Sequence, residues 1–369
     1  MELLVKHAKL MHDPEQLVDI RINQGHISDI GTGLQVVSES LLDLDGTAYL
    51  SPGWIDCHVH AYEAMTLYGD KPDIIGVDTG VTSLIDAGSC GADNIGAFAQ
   101  LSKQAQTQVY ALLNISRMGL VAQNELSDMA NIDLDLVAQA VAHHPEFIVG
   151  LKARMSKTVV GENGLAPLHH AIQASERHQL PLMVHIGSEP PLLSEVFACL
   201  QAGHMVTHCF NGKPNGIVDQ QTGQLKPFVK PTLERGVGFD IGHGTDSFNF
   251  ETARLAFQAG VQADTISTDI YRRNRTQGPV YDLATTMAKL HHVGYSWTHI
   301  LHKVTAAPAK WFGLTNKGYL QPGYAGDLTV FQLKKEPKAL TDAQGERCYA
   351  TEYLVPQYAI VKGKVHECS

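Results

Sequence analysis

Six side chains in this 369-residue chain have the types and positions to hold metal ions and move protons. His58 and His60 close the run Ile55-Asp56-Cys57-His58-Val59-His60. In a strand, residues i and i+2 share a face. An inward-facing pair can therefore grip one metal through two imidazoles, although His-x-His also arises by chance. His185 ends Met183-Val184-His185, and His208 ends Val206-Thr207-His208. Each lies where an apolar run turns polar, and taken singly each also fits a hydrogen-bonded structural role. Asp269 ends Ile266-Ser267-Thr268-Asp269, where a carboxylate either caps a helix or does chemistry. Lys152 stands inside the apolar run Ile148-Val149-Gly150-Leu151-Lys152. A buried lysine is costly unless it is paired or chemically altered.

Positioning these groups requires several strands that end on one side. Apolar β-rich runs recur at 54–60, 82–87, 109–116, 147–156, 182–187, 205–210, 237–243 and 265–270. Amphipathic stretches separate them, such as 134–143 and 167–178, and Ser296 is placed to cap a later helix. Eight strands alternating with helices predict an α/β chain built as a parallel (β/α)8 barrel, with an open doubly wound sheet as the alternative. Residues 54–313 span 260 positions, near the ~250 typical of that barrel. Strands 1, 4, 5, 6 and 8 would then bring all six residues to the C-terminal mouth, where such barrels carry their sites. Both chain ends read differently. Leu17 to Ile22 alternates, turns at Asn23-Gln24-Gly25 and returns through His26 to Gly31. Residues 327–331 and 358–363 are also strand-like. We expect residues 1–51 and 315–369 to form one small flanking β-sandwich and 52–314 to form the barrel.

Composition narrows the partners. Hydrophobic residues make 44% and charged residues 18%, which is globular composition. A net charge of −10 argues against nucleic-acid binding. No apolar run is long enough to span a membrane, and the first ten residues do not read as a signal peptide. The six cysteines form no C-x-x-C pair and suit a reduced, cytoplasmic protein. Cys57 should face away from His58, and Cys90 has no evident role as nucleophile. Of 19 histidines, His143-His144, His169-His170 and His291-His292 lie in or near helical stretches and read as structural.

Taken together, Pro52-Gly53-Trp54-Ile55-Asp56-Cys57-His58-Val59-His60, Lys152, His185, His208 and Asp269 resemble the motif of the amidohydrolase superfamily. The Gly-Tyr-Ala-Gly-Asp-Leu at 323–328 is similar to that family's return into its β-domain. Four segments look most like the dihydroorotase-like deacetylase subgroup: 150–156, Thr207-His208-Cys209-Phe210-Asn211-Gly212, Asp240-Ile241-Gly242-His243-Gly244 and Ser267-Thr268-Asp269. The resemblance implies a binuclear centre of two divalent ions, best suited to Zn²⁺. His58, His60 and Asp269 would hold one ion, and His185 and His208 the other. Lys152, carbamylated by CO₂, would bridge them. A mononuclear site, as in base-deaminating relatives where that lysine is typically absent, is the competing reading. A bridging hydroxide would attack, with Asp269 as the general acid and base.

The substrate is less closely drawn. Arg154 should point the same way as Lys152, either to dock a carboxylate or to pair with a barrel acid. Asn211 and His243 are the other expected substrate contacts. The cations of Tyr271-Arg272-Arg273-Asn274-Arg275 would either clamp an anion or form a solvated loop or subunit contact. Dihydroorotases continue His-x-His with x-Arg, and here the chain reads Ala61-Tyr62-Glu63. The resemblance therefore implies hydrolysis of an amide or ester in a small N-acyl or O-acyl compound bearing a carboxylate. A cyclic amidase is the alternative, and a non-catalytic scaffold the rival from another class. Barrels with β-domains often associate, so a homo-oligomer is also open.

Overall fold

The computed structural model describes residues 2–64 and 67–369. In chain order the strands are β1 (Glu2–Leu10), β2 (Asp13–Asn23), β3 (His26–Gly31), β4 (Ser40–Asp43), β5 (Tyr49–Pro52), β6 (Trp54–Val59), β7 (Val81–Ala87), β8 (Gln108–Asn114), β9 (Ile148–Met155), β10 (Leu182–Ile186), β11 (His204–Thr207), β12 (Gly238–Asp240), β13 (Leu328–Lys334), β14 (Lys338–Thr341), β15 (Arg347–Ala350), β16 (Tyr353–Val361) and β17 (Lys364–Glu367).

Strands β6 to β12 form one parallel sheet in chain order, as short βα connections dictate. Most of their residues are buried because helices cover the outside. The expected eighth strand is not a regular one. Residues 265–270 instead close the barrel through single parallel bridges, Asp240 to Thr265 on one side and Val59 to Ile270 on the other. Backbone bonds hold both edges: Ile241 N to Thr265 O at 3.2 Å, His243 N to Ser267 O at 3.2 Å, Asp269 N to His58 O at 2.6 Å and His60 N to Ile270 O at 2.9 Å. A regular strand fails here because Asp269 is left-handed, at φ 51°. The result is the (β/α)8 barrel, its floor plugged by Ala309, Phe312 and Leu314 against Ile55, Met183 and Met205.

Both termini build a second sheet, ordered β17-β16-β13-β5-β1-β2-β3, with β4 on β1. Leu3, Val5, Ile20, Ile22, Leu50, Val330 and Ile360 fill its core, so it is a layer distinct from the barrel. Strand β5 pairs with β13 antiparallel, Leu50 opposite Val330. One part of the C-terminal segment departs from expectation. The β14–β15 hairpin leaves this sheet, and Leu340 and Ala350 join the barrel's hydrophobic core. Asp342 accepts from the Phe250 backbone N at 3.1 Å and from Asn249 Nδ2 at 3.2 Å, which anchors the hairpin. Ser296 caps its helix by accepting from the His299 backbone N.

Candidate active site

A pocket of about 140 Å³ opens at the C-terminal mouth of the barrel. His58, His60, Lys152, His185, His208 and Asp269 all line it. Strands β6, β9, β10 and β11 and the closing segment supply them, so sequence-distant residues meet at one end of one sheet. His58, His208 and Asp269 offer ligand atoms within 4.8 Å of one another. Asp269 Oδ1 lies 3.4 Å from His58 Nε2 and 3.1 Å from His60 Nε2. The Lys152 Nζ lies 3.1 Å from His58 Nε2. The rings of His185 and His208 meet edge to face at 4.5 Å.

Three of the four imidazoles have their tautomer set by what their Nδ1 faces. Thr207 donates its hydroxyl proton to Asp240 Oδ2 at 2.7 Å. His58 Nδ1 lies 2.8 Å from Thr207 Oγ1, whose proton is already given to Asp240, so Nδ1 must donate to that hydroxyl oxygen. His208 Nδ1 donates to the Gly242 carbonyl at 2.6 Å. His60 Nδ1 lies 2.9 Å from Ser89 Oγ, whose own partner is Asp86. Each arrangement leaves an Nε2 lone pair directed into the pocket, the form in which histidine binds metal. Electrostatics agree. Burial pushes protonation of His58 and His185 well down and that of His208 to about 4. Burial also lowers the Lys152 ammonium to about 7, although Asp269 and Asp240 oppose it. Burial would raise the Asp269 carboxyl, but the surrounding His60, His208 and Lys152 outweigh it and hold Asp269 below its usual range. The donor set fits divalent metal: neutral imidazoles, an ionised carboxylate and an amine that is readily neutral.

Supports that the sequence did not announce hold this set. Asp240 is fully buried and accepts from Thr207, from Ser267 at 2.6 Å, from Thr265 at 2.6 Å and from the Cys57 thiol at 3.6 Å. Cys57 was expected to turn away from His58. A bulge in β6 between Asp56 and Val59 sets both against Asp240, and burial pushes the thiol's pKa up. Asp56 accepts from the Thr268 hydroxyl at 2.6 Å and from the His58 N at 3.4 Å, tying Asp269's neighbour to β6. Gly242 is left-handed, and a β-carbon there would stand 2.2 Å from Thr207 Oγ1 and 3.0 Å from His58 Nδ1. The only sequence signal for these supports was their place beside the ligands, Thr207 before His208 and Asp240 within the 240–244 segment.

The expected substrate contacts fare differently. Arg154 lines the pocket, but it forks onto buried Glu125, Nε to Oε1 at 2.7 Å and Nη2 to Oε2 at 3.0 Å. Asn211 does not line the pocket. Its Nδ2 donates to the His208 carbonyl at 2.8 Å and its Oδ1 accepts from Lys213 N at 3.1 Å, so it staples a loop. His243 is also turned inward. Its Nδ1 donates to Gly244 O at 2.8 Å, its Nε2 accepts from Lys289 Nζ at 2.7 Å, and its ring stacks on Phe248. Both of its ring nitrogens are thus engaged within the protein. The pocket's other walls are Tyr68, Lys213, Thr245, Asp246, Ser247 and Tyr271. Arg272 and Arg273 line an adjoining outer cavity, while Arg275 is committed to Asp70 at 2.6 Å.

Comparison with known proteins agrees with this geometry. Residues 49–365 match the model of the amidohydrolase family. The chain is 48% identical to a deacetylase of Enterococcus faecalis over 99% of both chains. It is 36% identical to a deacetylase of Agrobacterium fabrum, covering 91% of this chain and 83% of that one. A solved structure described as an adenine deaminase superposes with a TM-score of 0.97 at 49% identity over 99% of both chains. Another, described as a dihydroorotase, gives 0.92 at 34% identity over 100% of this chain and 99% of that one.

Proposed function

The chain belongs to the amidohydrolase family, and from that premise we propose that it is a deacetylase-type acyl hydrolase. The broader activity follows from the family: a metal-dependent hydrolase that acts on C–N bonds of small molecules. The proposal is that it cleaves an amide or ester of a small, carboxylate-bearing acyl compound. The observation that carries it is the convergence of four imidazoles, Lys152 and Asp269 on one pocket. Its deacetylase relatives, one matched over nearly the full length of both chains, support the acyl class.

In this reading His58, His60 and Asp269 would hold one divalent ion and His185 and His208 a second, with Zn²⁺ the best fit to the ligands. When bound, such ions lower the pKa of water to roughly 7 and polarise a carbonyl. Lys152 is suited to bridge them. Its neutral amine would add to the carbon of CO₂, with one C=O pair moving to oxygen and the nitrogen releasing a proton. The product is an anionic carbamate where an ammonium would repel metal. Asp269 takes a proton from the attacking water and passes it to the departing nitrogen or alkoxide. His58, His60 and His208 keep Nε2 inward through Thr207, Ser89 and Gly242.

Two names among the solved relatives mark other reactions. A base deaminase of the mononuclear kind does not need Lys152, which here is 1% exposed and 3.1 Å from His58 Nε2. A cyclic amidase is favoured by the dihydroorotase likeness but lacks the arginine after His60. The deciding experiment is a hydrolysis screen on metal-replete enzyme with bicarbonate. It covers N-acetyl and O-acetyl acids of both hands beside dihydroorotate, a hydantoin and adenine. Turnover of open-chain acyl acids is expected; turnover of only cyclic ureides, or only ammonia release from adenine, overturns the reading. A cytoplasmic location belongs to the same proposal, supported by six cysteines that are all free thiols. Among the described residues, no helix is long and apolar enough to cross a membrane.

A further inference from the structure

A substrate acid needs a cation in the pocket, and Arg154 is already committed. Its fork holds Glu125, which is 0% exposed, and its Nη2 also donates to the Gln123 carbonyl at 2.8 Å. Releasing that arginine would leave a buried carboxylate without its partner. Lys213 lines the same pocket. Among the described residues its ammonium makes no hydrogen bond or ion pair, and Asp246 on the pocket wall does not pair with it.

The lysine's root is fixed and its tip is free. Asn211 accepts from Lys213 N at 3.1 Å while donating to His208 O at 2.8 Å, and Gly216 N donates to Lys213 O at 2.9 Å. One side-chain amide thus sets the spacing between His208 and Lys213. The tip lies close to the candidate metal ligands. Lys213 Nζ is 3.9 Å, and His185 Nε2 is 3.4 Å, from the point where a β-carbon on Gly187 would stand. A group that reaches both must be short.

We propose that Lys213 binds the substrate carboxylate and sets the preference for acids over their neutral analogues. The inference rests on the acyl-hydrolase reading of the site. The short span selects acids whose carboxylate sits on the carbon bearing the acylated nitrogen or oxygen. Standard bond lengths put such a carboxylate about 3 to 4 Å from the acyl carbon.

The test compares an acyl acid found in the screen with its carboxamide analogue, on wild type and on Lys213→Met and Lys213→Arg. Losing one charge-assisted contact should cut the acid-over-amide ratio of kcat/KM by roughly 10- to 100-fold, mostly through KM, and Lys213→Arg should recover part of it. The Kd of the deacylated acid product, measured by calorimetry, should weaken by a similar factor in Lys213→Met. A Lys213→Met enzyme that binds metal, turns over the acid and keeps the wild-type ratio and product Kd overturns the inference alone. A wild type that hydrolyses no acyl acid overturns the reading of the site, and this inference with it.

Discussion

Asp269 holds a left-handed backbone, φ 51°, and His208 another at 69°. Conformations of this kind cost of order 1–3 kcal/mol per residue and persist only where the surroundings enforce them. Here the enforcement is visible: Asp269 N donates to His58 O, and Asn274 Nδ2 donates to Asp269 O at 2.9 Å. Replacing Asp269 with Asn keeps that frame and an oxygen ligand but removes the site that takes a proton. We expect Asp269→Asn to retain its metal by elemental analysis while kcat falls by about 10²- to 10⁴-fold. Loss of metal alongside activity would reassign Asp269 to binding alone. At this scale the sequence was informative where a residue's place in a strand decides its direction. His58, His185, His208, Lys152 and Asp269 each end or enter a β-run, and direction follows from that. Arg154, Asn211 and His243 were placed as well, but their partners were not. Glu125 and Lys289 come from distant segments, and nothing local announces them, while Asn211 turns to Lys213 two residues on.

Among elements, the seam between β12 and β6 matters most. Seven strands follow from the recurrence of apolar runs; the structure keeps the first five nearly at their expected limits and shortens the last two to His204–Thr207 and Gly238–Asp240. The eighth is not a regular strand, because residues 265–270 serve side chains before ladder. Thr265 and Ser267 donate to Asp240, and Thr268 donates to Asp56. Asp240 therefore joins β6, β11, β12 and the seam through one carboxylate. Burial pushes the Asp240 carboxyl up while its three hydroxyl donors oppose the shift. An Asp240→Asn amide accepts at one oxygen only and presents two N–H donors to hydroxyls already arranged to donate. Metal affinity should drop by about 10- to 100-fold, the usual cost of losing an outer support of a ligand. Competition with a chelator reads this directly. Unchanged affinity would show that Thr207 orients His58 without Asp240.

Across the whole molecule, the hairpin and the barrel share a buried base. Lys289, 0% exposed, lies on the helix Leu283–Val293 and donates to His243 and to Pro279 O at 2.7 Å. Burial lowers its ammonium to about 7, against the pull of Asp342 on the hairpin and of Asp282. A base whose folded pKa is lowered binds fewer protons folded than unfolded between that value and its ordinary pKa. Its burial penalty is thus complete below pH 7 and vanishes as pH climbs past about 10.5. Lys289→Met should therefore gain stability relative to wild type at pH 7, and the gap should close toward pH 10. Denaturant melts of both proteins across that range check the sign. A gap that widens with pH would mean that the lysine is charged and paired in the fold.

The pairing of β5 with β13 joins residues 49–52 to residues 328–331. During synthesis, β1 to β3 can form their hairpins early and β4 can join β1 in parallel, but the sheet they belong to stays open until the barrel has been made and residues 328–361 have followed it. Closing so long a loop is slow, since its entropy must be met before the contact repays it. Residues 49–52 are thus made well before the strand that covers them, and for that interval the edge of β5 waits exposed for its partner.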